Sequence, residues 1–206
     1  SCRCDDRENE TTSLSTCLIE EIVMTESFSK LTGNEIATLL VPTTVTLVTA
    51  RDATGMDKVA TIAWVMPISH EPSLIAVAIR PGGQTACAMR ESGCFVVNVL
   101  GADEDAARIA MACGKKHGVE DRFAEAGLTA CPAAHIDAAR IEQAISWIEC
   151  ELVESRVHGD HELFVGRTLV AETRGELDGN GKLEPCPALL MGQRGRFGRF
   201  EKGFNA

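Results

Sequence analysis

The sequence predicts an all-β core with helical insertions, its strands closed into a barrel. Three observations carry this. Short apolar runs rich in β-branched residues follow one another between positions 43 and 100, separated by turn residues. Helical patterns are inserted late and do not alternate with strands one for one, which argues against a doubly wound sheet. Two longer strand patterns then face each other across the turn RVHGDH. Consecutive antiparallel pairing of this kind favours barrel closure, which removes exposed edges.

Taken in order, residues 1–15 are charged or hydroxylic without periodicity and read as a mobile arm, and 16–206 read as a single domain. CLIEEIVM (17–24) fits a strand or a short helix. EIATLL (35–40) gives one or two helical turns, ended before Pro42. TTVTLVTA (43–50) is a strand and RDATG (51–55) its turn, with Asp52 and Gly55 supplying the turn chemistry. Strands follow at 58–66 and 73–80, and Pro67 and Pro72 exclude a continuous ladder between them. TACAMRES (85–92) is a short helix and CFVVNVL (94–100) a buried strand. The clearest helix is 102–116, with Asp103 as N-cap, Gly114 as stop, and Lys115 and Lys116 near its C-terminus. A second helix covers 119–128, and strands cover 145–155 and 162–174.

Composition excludes several functions. The 206-residue chain is 45% apolar and 24% charged, enough to bury a core. A net charge of −10, no tyrosine and only 4% aromatic residues oppose nucleic-acid binding, which needs clustered cations and stacking platforms. No apolar run approaches the roughly 18–20 residues of a membrane-spanning helix. The nine cysteines are odd in number and fall mostly within apolar runs, the pattern of reduced, buried thiols in a cytoplasmic protein. Cys2 and Cys4 form a C-x-C pair with no matching second pair. The spacing Cys113-x3-His117…Cys131-x3-His135 superficially resembles a zinc module, but nothing fixes those four side chains together.

The stretch 57–98 holds the chemistry. Two strand runs, a Pro-Gly-Gly break after Arg80, and Gln84-Thr85 at a helix start bring together amides, a guanidinium and hydroxyls. Such a set suits a flat, anionic ligand. His161 admits three readings: a proton-handling group near a ligand, half of a metal site with His158, or a turn histidine.

Four stretches resemble the flavin reductase-like family of FMN-binding split β-barrels (Greek key). They are TLVTARDATGMDKVATIAWVMPISHEPSLIAVAI, CFVVNVL, the segment from Cys113 to Glu154, and GDHELFVGRTLVAE, in the family's order. The resemblance implies FMN as cofactor and NAD(P)H as co-substrate. It also implies a flavin reductase-type oxidoreductase, or a flavoredoxin-like electron carrier. On this resemblance Thr61, Ile62, Ala63, Trp64 and Val65 contact the phosphate, ribityl chain and ring edge. Arg80 and Thr85 hold the phosphate with Gln84 close by, Asn98 buttresses the ribityl side, and His161 serves the reaction. It further implies a homodimer and, as electron acceptor, free flavin, ferric iron, a flavin-dependent monooxygenase or another redox protein. The chain departs from the family pattern at Lys58, often Asn, at Ala63, often Ser or Thr, and at Phe197 and Phe200, where a Tyr is frequent.

Overall fold

Runs of Val, Thr, Ile and Leu with few helix formers extend into strands because branched side chains pack well on a pleated surface. In the computed structural model, which describes residues 29–114, 119, 121–183 and 187–200, these runs form a mostly β fold with four short helices among the described residues. The chain divides into Ser1–Thr32 and Gly33–Ala206, and every element named below belongs to the second unit. The arm at 1–15 and the segment 17–24 lie outside the described residues.

In chain order come α1 (Asn34–Ala37), a 3-10 turn at Thr38–Leu40, and strands β1 (Thr43–Thr44), β2 (Thr46–Arg51), β3 (Asp57–Ile62), β4 (Val65–His70) and β5 (Ser73–Ile79). Then follow α2 (Gln84–Ser92), β6 (Cys94–Leu100), α3 (Glu104–Gly114), α4 (Arg122–Ala126), β7 (Ala130–Pro132) and β8 (Ala139–Ile141). The last elements are β9 (Ala144–His158), β10 (His161–Thr173), β11 (Leu190–Met191) and β12 (Phe197–Gly198).

Seven strands form one antiparallel sheet in the order β3-β2-β6-β9-β10-β5-β4. The terminal strands β3 and β4 are joined through Ala63-Trp64, and the Trp64 carbonyl accepts from the Ala78 amide on β5 at 2.9 Å. The sheet therefore curls back on itself with a seam beside β3. Two apolar clusters fill it. One packs Val48, Ile62, Val77, Ala86, Met89, Phe95 and Phe164, among others. The other joins Val59, Leu47 and Leu100 to Ile109, Ala110 and Phe123 of the two later helices.

Three expectations are corrected. The run at 58–66 is two strands, because the chain breaks at Ala63-Trp64. Pro67 lies within a strand, paired with Ile75. It is tolerated because β4 is the sheet edge and a bulge follows between Pro67 and Ser69, so no ladder needs its missing N–H. The helix at 119–128 covers only Arg122–Ala126, started by the Asp121 carboxylate accepting from the Ala124 amide at 3.0 Å and stopped at Gly127 with φ +66°.

A hairpin, β7–β8, fills the stretch between the expected helix at 119–128 and the expected strand at 145–155, where no element was expected. Glu149 on β9 pins the loop of this hairpin. Its fully buried carboxylate accepts from the amides of Ala134 and His135 at 2.7 and 2.8 Å and from Arg140 Nε at 2.7 Å. Burial opposes its ionisation, but the amide and guanidinium donors outweigh that and hold its pKa below the ordinary 4.5. A carboxyl held low stabilises the fold above its unfolded-state pKa and loses that contribution as pH falls through the folded value. Glu149→Gln should therefore destabilise by about 3 kcal/mol at neutral pH. Denaturation from pH 7 to pH 3 should show a shallower acid loss than wild type, and an unchanged profile would remove Glu149 from that role.

β10 is tightly packed at Gly166, where an added Cβ would lie 2.4 Å from Phe95 Cζ on β6 and 2.8 Å from Cys150 Cβ on β9. Phe95 is fully buried and has nowhere to swing. Gly166→Ala is expected to cost at least about 2 kcal/mol in urea unfolding.

Candidate functional site

β3 has β2 on one side and no strand on the other. Its side chains alternate between two helical flanks. Ala60 and Ile62 pack with Ala86 and Met89 of α2, while Val59 packs with α3 and α4. Thr61 turns the same way as Val59, its hydroxyl donating to the Ala110 carbonyl of α3 at 2.7 Å. Along the free edge runs a cavity of about 870 Å³.

Eight of the ten sequence-predicted residues line this cavity: Thr61, Ile62, Ala63, Trp64, Arg80, Gln84, Thr85 and His161. The β10–β5 register explains why His161 joins residues so distant in sequence, since Glu162 pairs with Ile79 and sets His161 beside Arg80. Arg80 is more than half exposed and its nearest counter-charge is Asp160 Oδ2 at 3.9 Å. His161 Nδ1 lies 2.8 Å from Asp160 Oδ1, and its ring is tilted against Trp64 with centroids 4.6 Å apart. The His161 hydrogen bond, followed by the charges of His161 and Arg80, holds the Asp160 carboxyl below its ordinary pKa despite some desolvation.

At the other end of the loop, α2 begins at Gln84 with Gly83 as N-cap and no side chain capping it. Its first-turn amides are open to a ligand. Thr85 is 2% exposed, and its Oγ1 has no hydrogen-bond partner among the described residues. A buried hydroxyl without a partner is costly unless something outside the chain supplies one.

Two predicted residues lie elsewhere. Asn98 is fully buried, and its amide is spent within the protein. Nδ2 donates to the Leu47 carbonyl at 2.9 Å and Thr49 Oγ1 at 3.1 Å, and Oδ1 accepts from the Ile141 amide at 2.8 Å. It ties β2, β6 and β8 together and does not reach the cavity. Val65 pairs with Val77 and packs against the core, away from the cavity. Lys58, a family departure, is bound to Asp52 at 3.2 Å and is not in the cavity wall.

Sequence reasoning missed several lining residues, among them Met111, Arg122 and Met191. Arg122 is a second cation. It donates through Nη1 to the carbonyls of Val59 (3.3 Å) and Cys113 (3.5 Å), while its buried Nε has no partner among the described residues. Position 122 carries no local signal, because a lone arginine in a short amphipathic helix reads as solvated. The wall thus offers two guanidiniums, one carboxylate, an uncapped helix start, a free hydroxyl and apolar faces. That set of groups is chemically suited to a flat molecule with an anionic end.

The architecture and this cavity define a flavin reductase-type split barrel. A family profile described as "Flavin reductase like domain" matches residues 38–200, and the chain belongs to that family. The chain is 29% identical over 164 residues to the reductase component of a 4-nitrophenol 4-monooxygenase/4-nitrocatechol 2-monooxygenase from Rhodococcus opacus, a match covering 79% of this chain and 77% of that protein. It is 30% identical over 134 residues to an NADH-dependent FMN reductase from Streptomyces nodosus subsp. asukaensis, covering 62% and 67%. Among solved structures, the flavoredoxin of Desulfovibrio vulgaris (Miyazaki F) superposes with a TM-score of 0.75 at 21% identity, covering 89% of this chain and 97% of that one.

Cys113, which lines the cavity, and Cys150 in the core are buried packing groups. No cluster able to hold a metal occurs among the described residues, and Cys131 sits on a strand rather than at a helix end. Burial pushes the Cys113 thiol up to about 11, against a smaller opposing effect from Arg122, and the Cys150 thiol up to about 12. At pH 8 both stay protonated and shielded. Iodoacetamide followed by peptide mass mapping should modify half-buried Cys87 well before Cys113 or Cys150, and early Cys113 labelling would contradict this geometry.

Proposed function

We propose that the cavity binds FMN and that the protein is an NAD(P)H-dependent flavin oxidoreductase. The observation that carries this is the unpartnered, buried Thr85 hydroxyl at the open start of α2, with the Arg80 guanidinium on the same loop. A phosphate dianion accepts from all three kinds of donor, and charge-assisted hydrogen bonds are the strong ones. The remaining wall fits the rest of the molecule. The free edge of β3 at Thr61 and Ile62, continuing into Ala63, meets the polar rim of a flat ring, while Ile62, Met111 and Phe197 provide apolar contact.

Bound FMN supplies the hydride-accepting and electron-passing chemistry. The chain's own residues bind, orient and shield. Arg80 and Thr85 fix one end, Trp64 and His161 form one side of the mouth, and Asp160 orients the His161 ring through Nδ1. His161 Nε2 is then the ring nitrogen left to face a ligand and exchange a proton with it. The likeness to an NADH-dependent FMN reductase supports nicotinamide as the hydride source. The likeness to a monooxygenase reductase component supports a partner oxygenase, alongside free flavin or ferric iron, as acceptor.

The protein also pairs with a second copy of itself in this reading. Trp64, Met66 and Ile68 are exposed apolar residues running from the cavity mouth along edge strand β4, a surface that a partner would cover.

An absorbance spectrum of purified protein after incubation with excess FMN tests the cofactor, and anaerobic addition of NADH or NADPH tests the reaction. Bound flavin bleached by either nucleotide is the expected result. Flavin that stays oxidised with both, but is reduced by a low-potential protein donor, replaces the enzyme with an electron carrier. Absence of bound flavin overturns both. Arg80→Ala should weaken FMN binding at least tenfold, and Thr85→Val several-fold, by fluorescence titration.

A further inference from the structure

Two of the buried side-chain atoms left without partners among the described residues, Thr85 Oγ1 and Arg122 Nε, belong to the wall of the same cavity. They lie on opposite flanks of β3. Thr85 belongs to α2, which packs against the Ala60 and Ile62 side, and Arg122 opens α4, which packs with α3 against the Val59 side. A ligand along the β3 edge with its phosphate at Thr85 and Arg80 has its other polar end towards Arg122.

Arg122 is built to hold one position. Its Nη1 bridges two main-chain carbonyls, Val59 on β3 and Cys113 near the end of α3, which fixes the guanidinium plane between strand and helix. Ion pairs among the described residues involve other arginines, and Arg122 takes part in none of them. Among the described residues, the Nε–H therefore remains a charged donor with no protein partner. A guanidinium that is pinned, uncompensated and partly desolvated acts on developing negative charge much more strongly than one in water.

We infer that Arg122 is a positioning and potential-setting residue that donates to the pyrimidine edge of the flavin, at the N1–C2 carbonyl. This rests on the flavin reading above. Uptake of a hydride, two electrons with one proton, leaves the ring with one more negative charge than before. That charge is carried at the N1–C2 carbonyl edge. A fixed cation there binds reduced flavin more tightly than oxidised flavin and so raises its midpoint potential. Charge near N1 is one of the few means by which a protein tunes this cofactor.

The test compares full-length wild type, Arg80→Ala, Arg122→Gln and Arg122→Lys in two measurements. Titration with FMN and with riboflavin isolates the phosphate contribution, and dye-equilibration potentiometry of the FMN-bound proteins reads the ring environment. Arg80→Ala is expected to lose at least tenfold of the preference for FMN over riboflavin. Arg122→Gln should keep that preference and lower the midpoint potential by about 30 mV, the equivalent of a tenfold selective loss of affinity for reduced flavin in a two-electron couple. Arg122→Lys keeps the charge without the fork, and its potential should fall by less. It also serves as the readable variant if the Gln protein does not fold. A wild-type potential in every folded Arg122 variant overturns the inference and leaves the flavin reading intact. So does loss of the FMN preference on changing Arg122, which would assign that residue to the phosphate. Wild-type protein that binds neither flavin overturns the flavin reading itself.

Discussion

The free edge of β3 is the constraint on which the site depends. An edge strand with unpaired main-chain groups invites pairing with another chain unless it is covered. Here the cover is helical, with α2 on one face and α3 with α4 on the other, and the strip between them stays open as a cavity. Strand alternation does the sorting, because successive side chains from Val59 to Ile62 anchor opposite flanks. Thr46 donates to the Ile62 carbonyl and Thr61 to the Ala110 carbonyl, so both ends of the lining segment are held before any ligand arrives. The break at Ala63-Trp64 ends pairing where the chain must turn towards β5.

A second set of interactions keeps the loop from Arg80 to Gly83 and His161 in register. Arg90, near the end of α2, donates to the buried carboxylate of Glu162 and to the Pro81 carbonyl at 3.2 Å. Glu162 directly follows His161, and Pro81 directly follows Arg80. One guanidinium thus ties the start of β10 to the loop that precedes α2. The Asp160 pairing with both Arg80 and His161 makes a parallel connection on the solvent side. The two ties differ in strength. Glu162 is 4% exposed, so its bond to Arg90 is poorly screened, while exposed Asp160 holds Arg80 weakly enough for an anionic ligand to displace it.

What could be read from the sequence divides along the same lines. Arg80, Gln84 and Thr85 are legible because a strand end, a Pro-Gly-Gly turn and a helix start are all local signals. The role of β3 is half legible. Its residues read as a strand, but the break before Trp64 depends on barrel curvature, which no window of sequence contains. Asn98 stands out as a polar residue in an apolar strand, and a buried amide in such a place has two outlets, a ligand or the core. The core claims it through Thr49 and Ile141, partners separated from it by long stretches of chain. The β7–β8 hairpin is hidden because TACPAAHIDAARI is dominated by small residues with no strand periodicity. Its fold comes from Glu149 and Arg140 rather than from intrinsic propensity. Arg122 is invisible for a different reason, since its interest lies in the partner its Nε lacks among the described residues.

The net charge of −10 gives these cations a particular weight. FMN is a dianion at its phosphate, and at long range an acidic protein repels it. On the FMN reading, binding would come from short-range donors that the mean field does not cancel: the Arg80 guanidinium, the open amides of α2 and the Thr85 hydroxyl. These act within a few ångströms, inside the roughly 8 Å over which physiological salt screens exposed charges. Added salt therefore weakens the repulsion on approach more than the contacts on arrival, the opposite of what a basic, electrostatically steered site would show. The same acidity sharpens the case for Arg122. In a chain rich in carboxylates, a buried guanidinium nitrogen with no counter-ion among the described residues carries a desolvation cost, and on the flavin reading a ring that gains negative charge on reduction would offset it.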